Sequence, residues 1–250
     1  MIIFIPIKEN SQRVPGKNFR NLQGENLYKR CLLKLTDFKV FVDTDSKKII
    51  SEIQSDPRLD HVTVYLRDPD LIGHEVSVCK LIERFIEKHC ILGEDICQIH
   101  VTSPFLKSET LEGAMKMMKE HDSVVSCNSY QNRLWRKESY GYCPVNHNPM
   151  KLEQTQDLPV FYEENSLFYI FNSASFLKTL SRIGSKPFFY MCNFPENLDI
   201  DDLGPIEKAI QNVALVGFVR VCLVELLLKG SIAYSVWDIE SIADEPFFQD

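Results

Sequence analysis

The chain has 250 residues, enough for one α/β domain with a full core. Its 44% apolar and 25% charged content are those of a soluble globular protein, and they exclude a disordered or fibrous chain. A formal charge of −7 excludes a general nucleic-acid binder but leaves room for a local anion site.

"IIFIPI" at the N-terminus reads as a buried strand. It lacks the basic flank and the length of a signal peptide, which points to a cytoplasmic protein. The following loop carries Lys8, Arg13, Lys17 and Arg20 against one acid, Glu9. Gly16 frees the backbone there, and Lys8, Arg13 and Lys17 could surround a polyphosphate. The "VPGKN" run is not a Walker A loop, and a solvated basic loop is the plain alternative.

"YKRCLLKL" reads as a helix and "KVFVDTDS" as a strand and turn. Ser46 is placed to cap a helix that carries Ile49, Ile50 and Ile53 on one face. "HVTVYLR" is a further strand, and helical spacing runs from Glu75 to His89 through Val78, Ile82, Phe85 and Ile86. "ICQIHV" is a strand with a turn at Thr102-Ser103-Pro104. Ser108 is expected to cap the next helix, and "SVVSCN" follows as a strand. This alternation implies a mainly parallel sheet with helices on both faces. Arg67 reads as a surface ion pair or a site residue, and His100 as a strand histidine or a site residue.

The rhythm stops between residues 130 and 159, which are polar, aromatic and rich in Asn and Pro. A structureless loop of that length is unusual in a compact domain, so the stretch is expected to protrude and meet a second subunit; a mobile surface loop is the alternative. "SLFYIF" and "PFFYMCNF" then read as strands. In "LDIDD", Asp199 and Asp201 would point the same way from an extended segment and could hold Mg²⁺; a helix cap is the alternative. Residues 213–228 are nearly all apolar and read as a buried or interface helix, too short for a membrane span. Residues 213–250 form a C-terminal extension without an assigned role, and "SIAYSVWDI" within them reads as a last strand. Eight cysteines without a C-x-x-C pair read as reduced thiols.

In order along residues 2 to about 211, "IPIKENSQRVPGKNFRNL", "VDTDSKKI", "RDPDLIGHEVS", "HVTSP", "DSVVS", "QDLPVFYEENSLFYIF" and "LDIDDLGPIEKA" resemble the acylneuraminate cytidylyltransferases, the CMP-sialic acid synthetases. The resemblance implies one Rossmann-like nucleotidyltransferase domain over residues 1–250, with 130–159 as a protruding dimerisation and acceptor-side segment. It implies CTP as donor, a small acidic acceptor, Mg²⁺ as cofactor, and a homodimer. By position it implies nucleotide contacts from Lys8, Arg13, Lys17, Asn18 and Arg67. It likewise implies metal binding at Asp199 and Asp201, catalytic roles for Lys17 and that pair, and acceptor contacts from His100 and Gln156. Glu9, Gln12, His100 and Thr155 depart from the family's usual residues. The donor half is thus better kept than the acceptor half, and the acceptor need not be sialic acid. A phosphonate or similar acid, or a catalytically weak dimeric binding module, are the other readings.

Overall fold

The computed structural model describes residues 1–10, 16–22 and 24–198. In chain order the first elements are β1 (Ile2–Ile7), the short β2 (Asn21–Leu22) and β3 (Glu25–Asn26), α1 (Leu27–Leu33), β4 (Lys39–Thr44), α2 (Lys47–Gln54) and β5 (Val62–Leu66). Next come α3 (Val78–His89), β6 (Asp95–Ile99), α4 (Ser108–Lys116), β7 (Ser123–Tyr130), β8 (Trp135–Glu138) and β9 (Gly141–Pro144). The last are β10 (Phe161–Asn172), α5 (Ser173–Thr179) and β11 (Pro187–Met191).

Seven strands form one sheet in the order β11-β7-β10-β6-β1-β4-β5. β1 lies parallel to β4 and β6, β4 to β5, and β7 to β11, whereas β10 runs antiparallel to β6 and β7. The expected mainly parallel sheet is therefore present, with one reversed strand inside it. β1 is apolar along its length because both of its faces are covered. On one side Ile3, Ile5 and Ile7 pack with Leu32 of α1, Ile49 and Ile53 of α2, and Leu111 of α4. On the other, Phe4 and Phe41 pack with Ile82, Phe85 and Ile86 of α3 and Phe176 of α5. Phe4 stacks on Phe85 with ring centroids 4.5 Å apart.

The chain passes from β1 outward through β4 to β5, then returns to the other side of β1 with β6. The strand order thus reverses between β1 and β6, and α/β sheets bind ligands at the carboxyl ends of such a pair. The β1–β6 pairing runs from Ile2↔Ile96 to Phe4↔Gln98 and ends there, while β1 stays paired with β4 through Ile7↔Thr44. Pro6, which cannot donate to a ladder, falls beyond the last β6 rung.

Ser46 caps α2 as expected, accepting the Ile49 N–H at 3.4 Å. Two boundaries differ from the sequence reading. α3 starts at Val78, not Glu75, because Ser77 accepts the Cys79 N–H and ends the preceding loop. Lys107, not Ser108, holds the cap position of α4, since its backbone is the last extended one; Ser108 already lies within the helix. Residues 130–159 are not structureless. They contain an antiparallel hairpin, β8–β9, whose strands are mostly exposed and so lack an apolar alternation to announce them.

Cys31, Cys97, Cys127 and Cys192 are buried free thiols, and burial pushes Cys31 and Cys192 up to about 12. No helix among the described residues is long and apolar enough to cross a membrane. The apolar stretch 213–228 and the strand expected in "SIAYSVWDI" lie outside the described residues.

Candidate active site

The divergence of β1 from β6 opens a cleft of about 320 Å³ at the sheet's carboxyl edge. Pro6, Ile7 and Lys8 form one wall, and His100, Val101 and Thr102 form the opposite one. Lys17, Asn18, Arg67 and His74 add polar groups, while Val76, Val78 and Leu81 supply an apolar side. A cleft with a large apolar part and a few convergent polar groups suits a small molecule with a ring and a charged tail.

Lys17 and Asn18 reach the cleft through local backbone geometry. Gly16 adopts φ 64°, a left-handed conformation that favours glycine. The chain then turns into a short 3₁₀ segment, Lys17–Phe19, in which Lys17 and Asn18 are buried. The Asn18 amide nitrogen donates to the Lys8 carbonyl at 2.7 Å. The same contact with the side-chain oxygen would set two carbonyl oxygens against each other, so the amide has one orientation. Its Oδ1 is buried and has no hydrogen-bond partner.

Arg67 follows β5, and its N–H extends the sheet by donating to the Thr44 carbonyl at 2.8 Å. The residue is 1% exposed, which corrects the reading of a surface ion pair. Its Nε donates to the Asp43 carboxylate, and its Nη2 donates to the carbonyls of Asp43 (3.1 Å) and Ile7 (3.4 Å). Nη1 remains buried and unpartnered. Burial pushes the Asp43 carboxyl above the usual carboxylate range, and the Arg67 charge and hydrogen bond oppose that shift.

The Lys8 ammonium donates to the Gly73 carbonyl at 2.9 Å, which ties β1's end to the loop before α3. His100 follows β6 immediately, and its N–H donates to the Leu167 carbonyl of β10 at 3.4 Å. The structure therefore gathers Lys8, Lys17, Asn18, Arg67 and His100 around one cleft, as the sequence reading expects. Gln156 is elsewhere. It lies exposed on the turn Thr155–Asp157, where its carbonyl accepts from Gln131, and it is not among the cleft-lining residues. Arg13, Asp199 and Asp201 lie outside the described residues. Among the described residues no group of three or more His, Cys, Asp or Glu side chains could hold a metal.

Sequence reasoning missed His74 and Asp43. His74 stood in the quoted "RDPDLIGHEVS" loop, whose position after a strand was its signal. Asp43 was legible as a carboxylate at the end of an apolar strand.

A mainly parallel sheet with a partly cationic cleft at its switch point is the arrangement in which α/β proteins bind ligands. The chain belongs to the cytidylyltransferase family, whose model matches residues 2–227. The match extends past residue 211, where the sequence resemblance ends, into the apolar stretch. A CMP-N,N'-diacetyllegionaminic acid synthase of Legionella pneumophila is 27% identical over 230 residues, covering 84% of this chain and 94% of that protein. An N-acylneuraminate cytidylyltransferase of Streptococcus agalactiae is 25% identical over 212 residues, covering 80% of this chain. The chain spans only 50% of that streptococcal protein.

Solved structures share the fold. A CMP:2-keto-3-deoxy-manno-octonic acid synthetase complexed with CTP superposes with a TM-score of 0.57 at 15% identity, covering 86% of this chain and 98% of that one. A 4-diphosphocytidyl-2C-methyl-D-erythritol synthase from Anaerococcus prevotii gives 0.60 at 12% identity, covering 85% and 96%. The expected Rossmann-like nucleotidyltransferase fold and family are borne out.

The buried ion pair gives a stability prediction. Arg67→Met leaves the Asp43 carboxylate buried without its partner, which costs about 3–5 kcal/mol. Adding Asp43→Asn removes the stranded charge and recovers much of that loss. Urea midpoints of the wild type, the single and the double variant measure it. Equal midpoints for the wild type and Arg67→Met would contradict the pairing.

Proposed function

We propose that the protein transfers CMP from CTP to the hydroxyl of an acidic sugar and releases pyrophosphate. The observation that carries this reading is the pair of unpartnered buried atoms beside the cleft, the Asn18 Oδ1 acceptor and the Arg67 Nη1 donor. Cytosine offers an amino donor where uracil has a carbonyl, next to ring and carbonyl acceptors. An acceptor held in one orientation and a donor on the same cleft therefore match cytosine and disfavour uracil. The near full-length similarity to a CMP-N,N'-diacetyllegionaminic acid synthase supports an acidic sugar as the second substrate.

In this reading Lys8 and Lys17, with Arg13 from the same loop, offset the triphosphate charge. The acceptor hydroxyl attacks the α-phosphorus. A new P–O bond forms as the bond to the bridging oxygen breaks, pyrophosphate leaves, and the hydroxyl proton is released to solvent. No covalent enzyme intermediate is needed, so positioning and electrostatics supply the catalysis. Asp199 and Asp201 offer two hard carboxylate donors at alternate positions, a set that suits Mg²⁺. When bound there, the ion would neutralise phosphate charge. His100, which lines the cleft, would help select the acid.

The protein acts as a homodimer in this account. Support comes from the segment between β7 and β10, which exposes Trp135, Tyr140, Tyr142, Met150 and Leu152. Large exposed apolar groups gathered in one segment mark an interaction surface. A partner's segment would bring its Gln156 to the acceptor. The free thiols and the net charge of −7 fit a cytoplasmic enzyme with small-molecule substrates.

A pyrophosphate-release assay with CTP and Mg²⁺ across nonulosonic and shorter keto-deoxy sugar acids tests the function. Turnover is expected with at least one acid, and at least about 100-fold less with UTP. Asp199→Asn and Asp201→Asn should each lose about 100-fold in turnover while melting as the wild type does. No release with any acid would contradict the acceptor class, and unchanged turnover in both variants would contradict the metal assignment.

Light scattering tests the assembly. The intact protein is expected to have the mass of a dimer at micromolar concentration. Trp135→Asp combined with Met150→Asp should shift it toward the monomer. A monomeric wild type would contradict the proposal.

A further inference from the structure

Asp45 lies in the turn between β4 and α2 and does not line the cleft. Its Oδ1 accepts the Glu9 N–H at 2.7 Å. The carbonyl of Lys8 accepts the Asn18 amide, also at 2.7 Å. Lys8 C=O and Glu9 N–H are the two ends of one peptide group. That group is therefore gripped from both sides, by a side chain of the first loop and by one of the β4–α2 turn.

The register explains the contact. The β1–β4 ladder ends at Ile7↔Thr44, which carries the next residues, Lys8 and Asp45, side by side. Asp45 extends the ladder with its side chain after the backbone pairing has ended. Its own turn is held firmly. The Ser46 N–H donates to Thr44 Oγ1 at 3.2 Å, Ser46 is fully buried, and its hydroxyl and carbonyl accept from Ile49 and Ile50 at the start of α2. A hydrogen bond from a backbone N–H to a carboxylate is charge-assisted and among the stronger kinds.

The consequence reaches the cleft through Asn18. Asn18 lines the cleft, and its oxygen is the unpartnered end of the amide because its nitrogen is committed to the Lys8 carbonyl. That commitment lasts only while the Lys8–Glu9 peptide plane stays put. A rotated plane would swing the carbonyl away and leave Asn18 able to turn either its oxygen or its nitrogen toward a ligand. We propose that Asp45 is a positioning residue for base selection: by holding the Glu9 N–H it fixes the Lys8–Glu9 peptide and thereby the acceptor that Asn18 presents. The inference rests on the cytidylyl-transfer reading and adds a residue that never touches the nucleotide.

Calorimetric titration with CTP and with UTP, without acceptor, tests it on the wild type, Asp45→Asn and Asp45→Ala. Asparagine keeps an oxygen that can accept from Glu9, whereas alanine removes it. Asp45→Ala is expected to bind CTP about tenfold more weakly and to lose most of its preference over UTP, the scale of one charge-assisted hydrogen bond. Asp45→Asn should restore most of that preference. Should the alanine protein fail to fold, Asp45→Ser shortens the reach to Glu9 and serves the same comparison. An alanine or serine variant that is less stable yet keeps the wild-type CTP-to-UTP ratio would overturn the proposal. So would an asparagine variant as unselective as alanine. A wild type that binds neither nucleotide would instead overturn the functional reading on which the proposal rests.

Discussion

Arg67 is buried with a carboxylate and two backbone carbonyls around its guanidinium. Burying those charges costs several kcal/mol per ion before any attraction is counted, so the arrangement persists only because its geometry is nearly complete. The pair joins the ends of three adjacent strands: Ile7 of β1, Asp43 of β4 and Arg67 just beyond β5. One nitrogen of the guanidinium, Nη1, is left without a partner, and Arg67 lines the cleft. The lock that holds the strand ends thus also leaves a donor available for a ligand, at a place where replacing the arginine by a neutral residue would cost both.

Around this anchor the cleft is a product of topology. β1 must pair with β4 to its end and with β6 only for its first rungs, and the gap between β1 and β6 is where a ligand enters. Polar groups come to the gap from loops that follow strands, while the walls below stay apolar because α3 covers that face. Lys8 and Lys17 line the same gap. A protein with a charge of −7 can therefore hold an anion, since what matters at short range is the local set of charges.

Much of this was legible in the sequence. Strands β1, β4, β5 and β6 announced themselves as apolar runs, α2 and α3 by helical spacing, and Ser46 by its place before an apolar helix face. The cleft residues Lys8, Lys17, Asn18, Arg67 and His100 came from loops after strands, read together with a family resemblance. Other features could not be read locally. The hairpin β8–β9 has no buried face, so no periodicity marks it. The reversal of β10 depends on which strands flank it, and a single strand's composition does not encode its direction. The burial of Arg67 requires that Asp43, 24 residues earlier, points at it. The orientation of the Asn18 amide depends on a peptide group ten residues away. These are long-range facts, and they are the ones on which the proposed base selection rests.

On the proposed reading, Asn18 and Arg67 hold a cytosine in the cleft between β1 and β6. A crystal structure of the protein with CTP tests it most directly. The base is expected inside that cleft, with its amino group within hydrogen-bond distance of Asn18 Oδ1 and its ring or carbonyl acceptors toward Arg67 Nη1. A base bound outside the cleft, or one whose amino group turns to solvent while Asn18 offers its nitrogen, would contradict it.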